Sequence, residues 1–142
     1  YIDRRAGFDA GVYTASLNDF MEPYVVPQEN GNRTDTRWMH LSNPKTGKGL
    51  LVLADSLLSM SAWPYTNQVI QTARHTYKLT DAGYINLNID LVQMGVGGND
   101  SWSDVAAPIE QYQIKAAPAA YRFYLVPIKA AALPSSLKKW KP

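Results

Sequence analysis

Residues 84–94 read YINLNIDLVQM, and their side chains alternate between apolar and polar. Successive side chains of an extended chain point to opposite faces, so each class occupies its own face. The apolar face holds Ile85, Leu87, Ile89 and Leu91, and the polar face holds Asn86, Asn88 and Asp90. This pattern predicts a half-buried antiparallel strand.

Two more strands are predicted upstream, joined as a hairpin. Residues 38–41 (WMHL) form the first and residues 50–53 (LLVL) the second. Between them, residues 42–49 (SNPKTGKG) contain an Asn-Pro pair and two glycines, which are typical of a turn. The three segments together predict an antiparallel pair.

A last strand is predicted at residues 121–128 (YRFYLVPI). Tyr121, Phe123 and Leu125 share one side of it. Pro127 cannot donate a backbone hydrogen bond, so the strand ends there or lies at a sheet edge.

A short helix is predicted at residues 67–74, where Thr66 can cap the first turn. Val69, Ile70 and Ala73 form its apolar face, and residues 80–83 (TDAG) turn the chain into the strand of residues 84–94. The sequence therefore predicts a mostly all-β fold, an antiparallel β-sandwich with one short helix near residues 67–74.

Composition narrows the class of protein. The chain has 142 residues, a length that suits one domain, and it contains no cysteine and two histidines. Disulfide frameworks and cysteine-based metal sites are thereby excluded. The net charge of +2 is spread along the chain and gives no case for nucleic acid. No apolar run reaches the roughly 18–20 residues of a membrane-spanning helix.

The compartment stays open between cytoplasm and periplasm, because the absence of cysteine is compatible with both. Residues 1–5 (YIDRR) carry no targeting pattern.

Common catalytic patterns are missing from the sequence. The glycines of residues 95–98 lack the Lys-Ser/Thr of a phosphate-binding loop, and no Gly-x-Ser-x-Gly motif occurs. Glu22, Glu29 and Glu110 lie outside apolar contexts that would raise a carboxyl pKa. We therefore predict no catalytic residue and no metal ligand in this chain.

Residues 94–103 (MGVGGNDSWS) differ in character from the rest. Gly97 and Gly98 permit backbone angles that are closed to other residues. Side chains that can bond back to neighbouring amides follow at Asn99, Asp100 and Ser101. Trp102 then presents a flat aromatic ring suited to the apolar face of a sugar. The alternative is that Trp102 folds back as a core residue, because tryptophan is usually largely buried.

Several motifs in one order resemble a known family. Residues 97–102 (GGNDSW), preceded by LNID at residues 87–90, resemble the C-terminal domain of the large bacterial β-galactosidases of glycoside hydrolase family 2, whose loop reads Gly-Gly-Asp-Asp-Ser-Trp. Asn99 replaces the first Asp of that loop. The pattern Tyr1-x-Asp3-Arg4, the segment from Pro23 to Arg37, the predicted helix and the last strand are also similar. The similarity covers residues 1–128, and the tail of residues 129–142 has no counterpart.

The resemblance implies that this chain contributes to sugar binding and holds none of the catalytic residues. This chain would be part of a large antiparallel super-sandwich, entered about halfway along at Tyr1. The two catalytic Glu, and the Mg²⁺ and Na⁺ of these enzymes, would belong to other domains, so no cofactor is expected here and the isolated chain is predicted inactive. Trp102 would stack on the acceptor sugar of a β-galactoside such as lactose, supported by residues 97–101. The expected partners are the barrel and upstream domains and the acceptor sugar, with no nucleic acid and no membrane.

Two other functions stay open. A free-standing carbohydrate-binding module would use Trp102 together with Trp63 or Trp38 as a stacking surface. A purely structural domain would shape an oligomer interface, and exposed strand faces and edges would favour self-association. We also expect a buried or half-buried ion pair between Glu29 and Arg37.

Overall fold

A computed structural model describes residues 2, 10–98, 100, 102–131 and 137 of the chain. The strands are β1 (Arg33–Asn43), β2 (Lys48–Trp63), β3 (Asn86–Asp90) and β4 (Phe123–Lys129), and the helix is α1 (Asn67–Thr72). Short 3-10 turns cover Leu17–Phe20, Thr76–Lys78, Asp104–Ala106 and Glu110–Tyr112. None of the described helices has the length and apolar character needed to cross a membrane.

The long strand β2 organises the sheet. β1 pairs antiparallel with β2 along one edge, while β3 and β4 both pair antiparallel with it along the other. β3 lies beside residues 59–63 of β2 and β4 beside residues 48–54, so the two short strands follow each other along the same edge. The predicted antiparallel all-β class is confirmed. The described residues build one open sheet, and the second layer of a sandwich is not among them.

The hairpin of residues 42–49 is confirmed. The Gly47 N–H donates to the Asn43 carbonyl oxygen at 2.9 Å, and the Asn43 side-chain oxygen accepts from the Lys45 N–H at 3.0 Å. β2 continues well past the predicted Leu53, because its apolar residues remain buried beyond an irregular stretch. In that stretch Asp55, Ser56 and Leu57 are exposed, and the pairing with β1 shifts register between Thr36 and Trp38.

β3 is shorter than the alternation of residues 84–94 predicts. Trp63 ends β2 opposite Asn86, and Ser59 faces Asp90 beside the irregular stretch of β2. The partner strand thus sets both ends of β3. Ile85 and Leu91 fall outside the pairing and are 45% and 37% exposed.

The core lies on one face of the sheet. Val52, Ala54, Leu58 and Met60 of β2 are at most 1% exposed and form its centre. Met39, Leu87, Ile89 and Phe123 from the other three strands pack against it. The predicted inward face of residues 84–94 is therefore confirmed at its centre. Leu125, on the same side as Phe123, is 53% exposed and extends beyond this core.

The opposite face of β2 is buried at its C-terminal end. Ser59, Ser61 and Trp63 are buried there, and the Asn88 amide donates to Ser61 Oγ at 3.1 Å. Trp63 is 1% exposed and lines a cavity of about 480 Å³ with residues of the segment before β1 and of α1. Trp63 therefore cannot serve as a sugar-stacking surface, and this part of the binding-module hypothesis is wrong.

The predicted helix is confirmed, although it ends two residues early. Thr66 Oγ1 accepts from the Val69 N–H at 3.1 Å, and Ile70 and Ala73 are buried. In the following turn, Gly83 has a φ of +76°, and its N–H donates to Asp81 Oδ1 at 2.7 Å.

The predicted ion pair between Glu29 and Arg37 is wrong. Glu29 Oε1 instead accepts from Gln93 Nε2 at 3.0 Å, while the Arg37 side chain is exposed on β1. At the C-terminal end, β4 runs to Lys129, one residue into the predicted tail, and the Ala130 N–H donates to the Gly47 carbonyl oxygen at 3.0 Å. Residues 132–136 and 138–142 of the tail lie outside the described residues.

Candidate functional site

The chain leaves the sheet after β3 and returns to the same edge at β4, and the predicted site lies in the segment between them. Two backbone hydrogen bonds close part of this segment. The Gly95 N–H donates to the Tyr112 carbonyl oxygen at 3.0 Å, and the Gly98 N–H donates to the Ala106 carbonyl oxygen at 3.0 Å. We call residues 95–112 the tryptophan loop.

Gly97 brings the two sides of the tryptophan loop into close approach. Its φ is +67°, and a Cβ at this position would overlap the Ala106 carbonyl oxygen. The same Cβ would lie 2.8 Å from the Ala107 carbonyl carbon and the Pro108 nitrogen. Only glycine fits this position without a shift of the facing backbone. Gly98 also has a positive φ, of +119°, as the sequence predicts for these glycines.

Asp100 fixes the backbone around Trp102. Its Oδ1 accepts from the backbone N–H groups of Trp102 at 3.0 Å and Ser103 at 2.8 Å. Its Oδ2 accepts from Ser103 Oγ. Hydrogen bonds from the Ser103 hydroxyl first, and then from the two backbone amides, hold the pKa of the Asp100 carboxyl below its usual value. Asn99 and Ser101, the other predicted supports, lie outside the described residues.

Ser103 continues this arrangement into the next turn. Its Oγ accepts from the Val105 N–H at 3.2 Å and so caps the 3-10 turn of Asp104–Ala106. The chain is therefore tied down on both sides of Trp102, by Asp100 before it and by Ser103 after it.

The Trp102 side chain is 85% exposed. Trp102 therefore does not fill the core formed by the described residues, because a core residue would be almost fully buried. Val96, Val105 and Ile109 of the same loop are each about half to two-thirds exposed, at 48%, 64% and 59%. The loop thus presents a large aromatic ring with apolar side chains on neighbouring parts of the same segment.

The three glutamates, Glu22, Glu29 and Glu110, all lie at exposed positions of the described chain. Glu110 forms an ion pair with Lys115 at 2.6 Å. Across the described ranges, no group of three or more His, Cys, Asp or Glu residues is placed to hold a metal ion.

The sequence predicted a loop with Trp102 near its tip, but it did not predict what Gly97 approaches. The partner is the small-residue run Ala106-Ala107-Pro108, across the loop from Gly97. Ala106 and Ala107 carry only methyl side chains, and they are the sequence signal that could have indicated this contact. Two stretches of backbone approach closely only where the side chains on both are small.

The sequence of this chain is similar to those of known proteins. The family model described as "Beta galactosidase small chain" matches residues 1–125. A beta-galactosidase of Priestia megaterium is 34% identical over 108 residues, covering 76% of this chain and 10% of its own length. The beta-galactosidase BgaC of Bifidobacterium adolescentis is 36% identical over 120 residues, covering 82% and 11%. A beta-galactosidase of Photobacterium profundum is 39% identical over 103 residues, covering 72% and 9%.

This chain spans about a tenth of the length of the curated relatives it matches, as the shares of 10%, 11% and 9% show. The family match, by contrast, extends over most of the chain and includes β1 to β3 and the whole tryptophan loop. The chain belongs to the beta galactosidase small chain family.

Proposed function

We propose that this chain serves a retaining β-galactosidase as the platform for the acceptor sugar. Trp102 stacks on the apolar face of that sugar, and the tryptophan loop sets the height and orientation of the ring. The observation that carries the proposal is the 85% exposure of Trp102 on a loop whose backbone is closed by Gly95, Gly98 and Asp100. An exposed ring on a constrained loop loses little conformational entropy when a ligand covers it.

The chemistry is assigned to other parts of the enzyme. Retaining glycosidases use two carboxyl groups about 5–5.5 Å apart, one as nucleophile and one as acid and base. The three glutamates of this chain are exposed, and we do not assign them to that pair. In this proposal the chain works together with the barrel and upstream domains, which hold both catalytic residues.

The Mg²⁺ and Na⁺ of the family are assigned in the same way. Among the described residues, no three His, Cys, Asp or Glu side chains are grouped so that they could hold a metal ion. We therefore derive no step through a metal at this loop and place both ions in other domains.

The test is a change at Trp102 in the β-galactosidase that contains this chain. With an aryl galactoside as donor and glucose as acceptor, the ratio of transfer to hydrolysis reports acceptor binding. We expect Trp102→Ala to raise the glucose concentration needed for half-maximal transfer by about five- to thirtyfold, which corresponds to about 1–2 kcal/mol of lost aromatic contact. Trp102→Phe should retain part of the effect, because a smaller ring can still stack.

The matched control is Tyr77→Ala, which removes another exposed aromatic ring outside the tryptophan loop. Tyr77 is 78% exposed and stacks on His75, with ring centroids 5.2 Å apart. Equal effects of Trp102→Ala and Tyr77→Ala on transfer would contradict the proposal.

The same variants separate the two competing functions. A structural role for Trp102 predicts a loss of several kcal/mol in stability for Trp102→Ala, as large-to-small core changes usually give. If the Trp102 ring is exposed and does not support the fold, Trp102→Ala should leave the stability almost unchanged. A free-standing binding module predicts saturable binding of galactose, glucose or lactose to the chain alone, measured by tryptophan fluorescence.

A further inference from the structure

The two ends of the segment that carries the tryptophan loop are joined by a side-chain hydrogen bond. Tyr121 Oη donates to the Ile89 carbonyl oxygen at 2.9 Å, between residues 32 positions apart in sequence. Ile89 lies in β3, one residue before its end, and Tyr121 lies two residues before β4 begins. This bond therefore connects the point where the chain leaves the sheet edge with the point where it returns.

A second contact holds the start of the same segment. Gln93 Nε2 donates to Glu29 Oε1 at 3.0 Å and to Asp90 Oδ2 at 3.3 Å. A carboxamide nitrogen has two hydrogens, so Gln93 can donate a hydrogen bond to each carboxylate at the same time. Gln93 thus links the chain just before the tryptophan loop both to the end of β3 and to the segment that precedes β1. We call Tyr121 and Gln93, with their acceptors, the root clamp.

The hydrogen bonds of the root clamp are separate from those that the tryptophan loop forms within itself. The bonds at Gly95, Gly98 and Asp100 fix the loop internally, but they do not join it to the sheet. A loop that is rigid within itself turns as a unit about its base. A small shift at the base is therefore enlarged at Trp102, which lies near the middle of the segment in sequence.

We propose that Tyr121 and Gln93 are positioning residues for acceptor binding, which act by fixing the orientation of the tryptophan loop and hence of Trp102 relative to the sheet. This inference rests on the proposed function of Trp102. It also makes a claim about the loop itself that can be measured without substrate.

The first experiment uses Tyr121→Phe in the β-galactosidase that contains this chain. The change removes one hydroxyl and keeps the ring beside Phe123, whose centroid is 6.1 Å away. We expect the glucose concentration for half-maximal transfer to rise about two- to tenfold, the factor that one net hydrogen bond corresponds to. The matched control is Tyr84→Phe, which removes an exposed hydroxyl outside the root clamp and should leave that concentration unchanged.

A double-mutant cycle tells positioning from general destabilisation. If Tyr121 acts through Trp102, Tyr121→Phe has no further effect on transfer in a Trp102→Ala background. An equal effect in both backgrounds would overturn the proposal.

The second variant is Gln93→Glu, which replaces a donor with a carboxylate facing Glu29 and Asp90. Repulsion among three carboxylates should open the base of the segment and weaken transfer at least as much as Tyr121→Phe. Gln71→Glu, an exposed change on α1, is its control.

Hydrogen exchange measured by mass spectrometry on the same proteins gives the substrate-independent readout. Both root-clamp variants should exchange faster than their controls over residues 89–94 and 113–122, the two stretches that join the tryptophan loop to the sheet, and unchanged exchange there would overturn the clamp. If Trp102→Ala leaves transfer unaltered, the acceptor proposal fails, and the exchange data still decide whether the clamp holds the loop. If Trp102→Ala weakens transfer and Tyr121→Phe does not, the clamp alone fails.

Discussion

At Gly97, two constraints act on the same backbone position. The φ of +67° disfavours any L residue, and the place of a Cβ is taken by the backbone of residues 106–108. Gly47 has nearly the same φ, +68°, but nothing lies within 4 Å of its Cβ position. The pair therefore separates the effect of the dihedral angle from the effect of close packing.

We expect Gly47→Ala to lower the free energy of unfolding by about 1–2 kcal/mol, the usual effect of the left-handed conformation alone. Gly97→Ala should disturb the tryptophan loop beyond that, because the facing backbone must also move. Urea unfolding measures the first effect, and hydrogen exchange over residues 98–106 measures the second. Equal exchange in the two variants would show that the close approach at Gly97 has no consequence.

Asp100 gives the tryptophan loop a dependence on pH. Its pKa in the folded chain lies below the ordinary value of 3.8, because hydrogen bonds from the Ser103 hydroxyl and from the Trp102 and Ser103 amides stabilise the charged form. A lowered pKa means that this stabilisation is complete above the ordinary value and is lost as pH falls through the lowered one. The sign therefore predicts a loop that loosens in acid.

We expect the environment of Trp102 to stay constant from neutral pH down to the ordinary pKa of 3.8 and to change at lower pH. Incorporated 5-fluorotryptophan reports this change by ¹⁹F NMR, with the Trp102 resonance identified by its loss in Trp102→Phe. Asp100→Asn should give a flat profile, because an amide does not titrate in this range. A profile that stays flat with Asp100 present would contradict the role of its charge.

At the scale of elements, Gly49 shows how tightly β2 fits between its neighbours. A Cβ at Gly49 would lie 2.8 Å from His40 Nε2 on β1, 3.2 Å from the Leu41 carbonyl oxygen and 3.4 Å from the Ile128 carbonyl oxygen on β4. Glycine at this position therefore lets the His40 ring lie across the start of β2.

Gly49→Ala should lower the free energy of unfolding by about 1–3 kcal/mol, as over-packing of a fitted position usually does. Urea unfolding measures it. Because the His40 ring is the nearest obstacle, the same change should have a smaller effect in a His40→Ala background. Additive effects of the two substitutions would place the strain elsewhere.

The sequence predicted the strands better than their ends. Alternation around Leu87 and Ile89 is a local signal, and both side chains pack against the core. The ends of β3 depend instead on where β2 becomes irregular and where it stops, which no residue of β3 encodes. The partner of Glu29 was predicted wrongly for a similar reason, since Gln93 lies 64 positions away in sequence.

The candidate site divides in the same way. Glycines followed by short polar side chains are a local pattern, and they indicated a constrained loop with Trp102 near its tip. The approach of Gly97 to Ala106 and the bond from Tyr121 to Ile89 depend on how the segment folds back, and periodicity carries no information about either contact.

At the scale of the whole molecule, the described sheet has an unpaired edge and exposed apolar side chains. Among the described strands, β1 pairs with β2 alone, which leaves its outer edge without a strand partner. Tyr124 and Leu125 of β4 are 44% and 53% exposed on opposite faces of the sheet. Free edges and exposed apolar strand residues both favour association with another chain.

We therefore expect the 142-residue chain to self-associate as its concentration rises, which sedimentation velocity measures directly. Leu125→Lys should increase the fraction of monomer, because a charge on an exposed strand opposes pairing. Leu57→Lys is the matched control, since Leu57 is 45% exposed in the irregular stretch of β2. A chain that stays monomeric at all concentrations would contradict this expectation.

The end-to-end placement of β3 and β4 along one edge of β2 also has a consequence for how the protein can vary. β3 and β4 occupy this edge of β2 as one continuous strand would, and the residues between Asp90 and Phe123 form an insertion in that strand. Because β2 holds the strand on each side of the insertion, we expect its length and sequence to tolerate change while both registers are kept. The fold thus separates a hydrogen-bonded frame, formed by the four strands, from an insertion that can change without altering how those strands pair.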